Sequence, residues 1–266
     1  PRYLAAAPSY KEWSMPMSFN DFRPHKALRL GDFPALKEVT AESGEQKYGT
    51  ISENREQISA KEFATGISVT RRALVNDDLG QLSDFTALIG QRVASDENAW
   101  MYTLLASNPA LSDTYAVFHA NHGNLAGSAA AISVTSIGLA MAAVRKQKSL
   151  DGIFLNLNPT ILVCGPAIET VARQFTREIT PTQTSNVNPW SNQFKLVVDA
   201  NITGNEYYLF CDPNAAPVFK YGYVQGTGPV VRSEIDFDTR GLRIVVGLDF
   251  GYGAVDYRGA YKNAGA

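Results

Sequence analysis

His119 and His122 are the side chains whose type and spacing best suggest metal chemistry, because imidazole is the commonest metal ligand in proteins. However, no Cys, Glu or Asp lies between Asp113 and Asp151 to complete such a site, and the HExxH pattern of zinc proteases is absent. The adjoining Gly123 is typical of a turn. We therefore expect a turn in which the imidazoles hydrogen-bond to the backbone, and a metal-dependent hydrolase that uses the two histidines is a distant alternative.

Other catalytic patterns are missing from the sequence. It contains neither the Gly-x-Ser-x-Gly nucleophile elbow nor a phosphate-binding P-loop. The glycine pairs at 226–228 and 251–253 are not followed by a helical pattern, which a dinucleotide site would need. Acidic pairs such as Asp77 and Asp78 are typical of helix caps and turns. The sequence therefore predicts no catalytic residue, no cofactor and no metal.

Composition narrows the class of protein further. The chain has 266 residues, of which 45% are hydrophobic and 19% charged, and its net charge is −2. A protein that grips nucleic-acid phosphates normally carries a clustered basic excess, so this charge argues against that class. No run of about 18 apolar residues is present, so we expect no membrane span. Cys164 and Cys211 lie in apolar runs and are predicted to be buried free thiols. The low charged fraction also suggests contact with other protein.

Residues 1–34 combine evenly spaced prolines with many aromatic side chains. Proline interrupts regular structure, whereas disordered tails are poor in aromatic residues. Two interpretations fit this pattern equally well. The segment is either an extended arm that docks on another molecule or a tail folded over its own core.

Residues 35–72 contain two strand-like stretches, at 36–40 and 57–70, with a polar segment between them. Charged residues occur on both faces of the predicted strands, so a hairpin built from them has little apolar surface to bury. Such a hairpin is not stable by itself in water. We expect it to be either a solvated loop or a segment that lies across a partner.

The remaining sequence predicts a mixture of helices and strands. Apolar residues three or four apart predict helices over 82–107, 134–148 and 166–179. The first of these would be about 37 Å long. Apolar and alternating runs predict strands at 160–164, 195–198, 206–210, 218–224, 230–237 and 243–255. The predicted fold class is α+β.

Three segments, in this order, resemble the major capsid proteins of tailed bacteriophages, which have the Hong Kong 97-like fold. They read ISVTRRALVNDDLG (67–80), FHANHGNL (118–125) and DYRG (256–259). Within that family the chain is most similar to the Mu-type major head subunits and to capsid proteins made as fusions to a prohead protease.

The resemblance implies a division of the chain into four parts. Residues 1–34 would be the N-terminal arm, and 35–72 the extended β-hairpin loop that lies across the adjacent subunit. Residues 73–131 and 230–252 would form the peripheral domain around the long spine helix. Residues 132–229 and 253–266 would form the axial domain.

The resemblance also implies a structural function without enzymatic activity. Copies of the chain would form pentamers and hexamers of an icosahedral shell that encloses double-stranded DNA through non-specific contact. The expected partners are a portal, decoration or cement proteins and a maturation protease, whose cut would produce Pro1. The expected location is the virion, after assembly in the host bacterial cytoplasm, with no membrane contact. An encapsulin-like nanocompartment that encloses cargo protein is the alternative.

Contacts between subunits are expected at aromatic and charged side chains, because aromatic residues dominate interface energies and charges set which partner is accepted. The aromatic candidates in the arm are Tyr10, Trp13, Phe19 and Phe22, and Trp190 is the candidate in a predicted axial loop at 180–193. The charged candidates are Lys37, Lys47, Arg55, Lys61, Arg71 and Arg72.

Overall fold

A computed structural model describes residues 8–30, 53–72, 76, 85–177, 188–235 and 240–266. The predicted strand at 36–40, the contact candidates Lys37 and Lys47, and most of the predicted loop at 180–193 lie outside these ranges.

One sheet is organised around a long strand. This strand, β10 (Leu242–Ala254), pairs antiparallel with β4 (Ala60–Val69) along one edge. Along its other edge it pairs first with β9 (Val230–Ile235) and then with β8 (Phe219–Val224). The outermost strand, β1 (Met15–Phe19), runs parallel to β8. Gly222 makes that pairing possible, because a Cβ atom there would lie 1.9 Å from the Met17 carbonyl oxygen.

A second sheet contains the strands β5 (Pro159–Cys164), β6 (Lys195–Val198), β7 (Tyr207–Cys211) and β11 (Ala260–Asn263). Their order across the sheet, within the described residues, is β11, β7, β5 and β6. β5 and β7 are almost continuously apolar and buried, as expected for central strands covered on both faces.

Three helices, all predicted from their apolar spacing, accompany the sheets in the described ranges. The long helix α1 (Phe85–Ser107) ends where Asn108 takes a left-handed conformation and Pro109 follows. The helix α2 (Val134–Arg145) begins at Ser133, which forms a reciprocal capping box with Ser136. A short 3-10 turn at Pro166–Ile168 leads into α3 (Glu169–Thr176). Within the described part of the chain, no helix is both long enough and apolar enough to cross a membrane.

Two main apolar cores lie on opposite faces of the second sheet. One lies between that sheet, α1 and the first sheet, and it includes Met101, Phe210 and Phe250. The other lies between the second sheet and the helices α2 and α3, and it includes Met141 and Phe175. Cys164 and Cys211 are buried free thiols, as predicted, and both belong to this second core.

The pairing of the hairpin differs from the prediction. The strand β2 (His25–Leu30), which the sequence placed in the arm, pairs antiparallel with β3 (Glu53–Ile58). The predicted strand at 57–70 is instead divided at Ser59, and its longer part, β4, belongs to the first sheet. The reason is that β10 provides an apolar partner strand for β4, whereas β3 pairs with β2. Below, "the hairpin" means β2 and β3.

The predicted division of the chain places β8 in the axial segment 132–229. β8 pairs with β10, most of which lies in the predicted peripheral segment 230–252. The domain division stays a prediction.

Candidate assembly interface

The hairpin presents polar and apolar side chains to solvent along most of its length. His25 is opposite Ile58 at one end of the pair, and Leu30 is opposite Glu53 at the other. Leu28 is 53% exposed, and its direct partner Arg55 is also exposed. A two-stranded ribbon of this kind needs support from another surface. One face of the ribbon receives that support from the chain itself, where Ile58 and Ala27 pack in a small apolar cluster with Phe19. The opposite face stays exposed in the described part of the chain.

Arg29 binds two carboxylates, one on the hairpin and one on the body of the protein. Its Nη2 atom lies 2.8 Å from Oε1 of Glu56, across the hairpin, and its Nη1 atom lies 2.9 Å from Oδ1 of Asp256. The Arg29 and Glu56 side chains are about nine-tenths buried. Charge-assisted hydrogen bonds from a guanidinium fix both distance and orientation, so this contact sets the direction in which the hairpin leaves the body.

Neighbouring loops complete this ion network. Ser112 donates to Glu56 from its backbone N–H, 3.0 Å from Oε2, and from its hydroxyl, 2.6 Å from Oε1. On the other side, Nη1 of Arg258 lies 3.0 Å from Oδ1 of Asp256. Arg258 also donates from Nε to the Lys148 carbonyl, at 2.5 Å. We call Arg29, Glu56, Asp256 and Arg258 the hairpin-base network.

Three aromatic contact candidates lie in the chain's own core, which corrects the prediction that they contact a neighbour. Tyr10 and Phe19 are fully buried, and Trp13 is 1% exposed. The Trp13 ring stacks on Phe210 with centroids 5.3 Å apart, and its edge meets Phe219. Apolar partners within the same chain are available at no cost in association entropy, so these rings fold inward. For residues 8–19, the tail folded over its own core is the correct interpretation.

Polar contacts hold the same segment. The Tyr10 hydroxyl donates to Oε2 of Glu97 at 2.8 Å, and the Tyr223 hydroxyl donates to the same carboxylate at 3.0 Å. Burial, reinforced by the charge of Glu97, raises the pKa of Tyr10 far above its ordinary value. The phenol therefore stays protonated and continues to donate to the buried carboxylate.

The other candidates in the described ranges are at least partly accessible. Phe22 is 48% exposed, and Arg55, Lys61, Arg71 and Arg72 are exposed. Trp190 is partly buried against the second core, near α2, and its indole N–H has no hydrogen-bond partner among the residues that the structure describes. The structure does not gather these residues into one patch. They stay predictions as contacts between subunits.

The histidine pair forms the hydrogen-bonded turn that the sequence predicts. Nδ1 of His119 accepts from the Asn121 backbone N–H at 3.1 Å. Nδ1 of His122 lies 3.1 Å from the Val117 carbonyl oxygen, and its Nε2 lies 2.8 Å from Oδ2 of Asp113. The His122 ring is buried and stacks flat on Tyr257, with centroids 3.7 Å apart. The described residues contain no cluster of His, Cys, Asp and Glu arranged to hold a metal ion.

Asp113 responds electrostatically to this turn. Partial burial acts to raise the pKa of its carboxyl, but the hydrogen bonds from His122 and from the Tyr115 backbone N–H act in the opposite direction and prevail. The pKa of Asp113 is therefore lowered below its ordinary value of 3.8. The ionised carboxylate is the form that stabilises the turn.

The hairpin-base network was not found from the sequence. Arg29 and Asp256 are 227 positions apart, and neither belongs to a motif that indicates a pairing. The DYRG segment, which contains Asp256 and Arg258, indicates a resemblance to a family but no pairing with Arg29. The sequence around Arg29 does not indicate that its side chain is buried, and that burial is the feature that would point to an ion pair.

The family follows from a comparison with known sequences. Residues 54–263 match the profile of a family described as "Phage capsid protein". The chain belongs to this phage capsid protein family. No curated protein sequence matches it at a significant level.

Solved structures show the same fold over the whole chain. A chain from Microbacterium phage Oxtober96 is similar with a TM-score of 0.64 and 9% identity, covering 100% of this chain and 93% of that one. The capsid of cyanophage P-SCSP1u is similar with a TM-score of 0.67 and 8% identity, covering 100% of this chain and 90% of that one. The capsid of Ralstonia phage GP4 is similar with a TM-score of 0.66 and 10% identity, covering 94% of this chain and 85% of that one. The predicted α+β, Hong Kong 97-like capsid fold is confirmed.

Proposed function

We propose that this phage capsid protein is the major subunit of a head whose pentamers and hexamers close an icosahedral shell around double-stranded DNA. The observation that carries the proposal is the family match over 54–263, together with a capsid fold that extends over the whole chain. A shell of this kind is built from heterologous contacts that close under rotation. The function of such a protein depends on the geometry with which its subunits contact one another.

The hairpin is the element best suited to reach a neighbouring subunit. Its two strands flank the segment 31–52 of the sequence, and its exposed side chains include Leu28 and Arg55. The hairpin-base network holds it rigidly at the body. A rigid base reduces the entropy that an extended arm loses on docking. We propose that Lys37, Lys47 and Arg55 take part in this contact.

The charge of the chain suits a container. A net charge of −2 gives the subunit little general attraction for phosphate, so packaged DNA would be enclosed without being held tightly.

Finer parts of the proposal rest on the resemblance of the sequence to the Mu-type group. They comprise processing by a maturation protease, contacts with a portal and with decoration or cement proteins, and assembly in the host bacterial cytoplasm before incorporation into the virion. The match to a phage family favours this function over an encapsulin-like compartment.

The experiment is expression of the chain, followed by sedimentation and negative-stain electron microscopy. Discrete closed particles are expected. Persistent monomers under all assembly conditions would refute the proposal. Analysis of native particles then separates the two kinds of container, because nuclease-protected DNA supports a phage head whereas protein cargo supports a nanocompartment.

A further inference from the structure

A short turn at residues 148–155 holds apolar side chains in solvent. Lys148 and Phe154 form a β-bridge, and the Ser149 N–H donates to the Ile153 carbonyl at 2.8 Å. Ile153, Phe154 and Leu155 are nevertheless 51%, 62% and 36% exposed. Three consecutive exposed apolar residues on an ordered turn are a cost to a soluble chain unless they bind something. We call Ile153, Phe154 and Leu155 the apolar tip.

The apolar tip carries a positive charge and a fixed position. Nζ of Lys148 lies 4.9 Å from the centroid of the Phe154 ring, so a positive charge contacts the exposed aromatic side chain of the tip. The Lys148 carbonyl accepts from Arg258 of the hairpin-base network. The same ion network therefore contacts both the turn that carries the apolar tip and the hairpin.

A groove of complementary character lies on one face of β4, β9 and β10. Gly247 is directly opposite Ala64 on one side and Val230 on the other, and Val245 follows on the same face. Val230 and Val245 are each 46% exposed. A Cβ atom at Gly247 would meet no other atom within 4 Å, so the missing side chain leaves the floor of the groove open. The cavity measures about 210 Å³.

Two carboxylates border this groove at one end, and Arg232, which is directly opposite Val245, lines it at the other. Glu62 and Asp249 are directly opposite each other on β4 and β10, where like charges destabilise a sheet. Within the described ranges, neither carboxylate has an ion-pair partner. An incoming cation would remove their repulsion. The cavity is smaller than the roughly 300–1,000 Å³ of small-molecule sites, so its size suits a protein side chain. We call the surface lined by Glu62, Ala64, Val230, Arg232, Val245, Gly247 and Asp249 the valine groove. With two carboxylates and one guanidinium, its formal charge is negative.

We propose that the apolar tip of one copy docks in the valine groove of a second copy of this chain, with Phe154 over Gly247 and Lys148 facing Glu62 and Asp249. The proposal rests on the proposed function, since a shell supplies the second copy. Apolar side chains meet apolar walls, and Lys148 meets the two carboxylates at the end of the groove away from Arg232. Because tip and groove are different patches, the contact is heterologous and continues from copy to copy.

Chemical crosslinking of assembled protein tests this contact. The chain carrying both I153C and V245C, which keeps Phe154, is treated with a short bismaleimide. The native thiols do not interfere, because burial raises the pKa of Cys164 to about 11 and that of Cys211 to about 12. A ladder of dimers and larger multimers is expected on a denaturing gel. A mixture of the two single variants should give dimers only. The matched control replaces I153C by L139C, since Leu139 is 65% exposed on α2, and should give no ladder.

Two further variants test shape and charge within the crosslinkable chain. Gly247→Val fills the groove and should lower the crosslinked fraction at least about tenfold, the equivalent of roughly 1.4 kcal/mol. Lys148→Glu should lower the crosslinked fraction as well, and adding Glu62→Lys should restore it. An unchanged crosslinked fraction in both variants would overturn the proposal.

The outcomes separate this contact from the proposed function. Normal shells without a crosslinked ladder would overturn the docking and leave the shell function standing. A ladder without shells would support the docking and refute the shell function. The absence of both would refute both.

Discussion

Replacing Arg29 by alanine should destabilise the protein strongly, because it leaves two carboxylates without their shared cation. The exposed fractions of the Arg29, Glu56 and Asp256 side chains are 12%, 9% and 22%. Removing one partner of a buried ion pair typically costs about 3–5 kcal/mol. Arg258 stays beside Asp256 and compensates that carboxylate in part, so we expect a loss near 3 kcal/mol, at the lower end of that range.

The assay is thermal unfolding of the purified chain. For a chain of this size, each kcal/mol shifts the midpoint by about 2–4 °C, so Arg29→Ala should lower it by roughly 6–12 °C. Arg29→Lys should have an intermediate effect, since an ammonium lacks the planar fork that reaches both carboxylates. The matched control is Arg55→Ala on the same hairpin, which is exposed and should change the stability by no more than about 0.5 kcal/mol.

A double-mutant cycle isolates the pair itself. Arg29→Ala combined with Glu56→Gln should cost less than the sum of the two single changes, with a coupling of about 1–3 kcal/mol. Equal midpoints for Arg29→Ala and Arg55→Ala, or strict additivity in the cycle, would refute the account of the hairpin base.

Three further predictions concern the core, the histidine turn and the thiols. Trp13→Ala should cost about 3–5 kcal/mol in urea unfolding because it opens a cavity among aromatic rings, and a loss below about 1 kcal/mol would contradict the burial of the segment. The lowered pKa of Asp113 contributes stability that is present above the ordinary carboxyl pKa of about 4 and is lost as the pH falls through the folded value. Asp113→Asn should therefore destabilise the chain at pH 7 and much less near pH 3, and a pH-independent difference would contradict this. Cys164 and Cys211 should resist maleimide at pH 7.5 until the chain is unfolded, whereas rapid labelling of the native protein would show that they are accessible.

The helices could be predicted from the sequence because their signals are local. The apolar spacing and Pro109 located α1, and the serine cap located α2. The strands from β5 to β10 were predicted from apolar or alternating runs for the same reason. Errors at their ends amount to one or two residues, as expected where a terminal turn depends on hydrogen bonds outside the element.

The arrangement of the hairpin could not be predicted because it depends on contacts between distant residues. β2 is a polar ribbon strand, and its partner begins 23 residues after it ends. The inward or outward position of Trp13 was undecided in the sequence, since both interpretations need aromatic side chains. Only the stacking on Phe210 and the edge contact with Phe219 decide it. The apolar tip and the valine groove also depend on pairing that the sequence does not show.

A cryo-EM reconstruction of particles assembled from the purified chain tests the central claim most directly. We expect closed shells of repeated copies in which the segment 25–58 of each copy extends from the hairpin-base network onto an adjacent copy. A particle-free preparation, or shells in which that segment folds back on its own chain, would contradict the account.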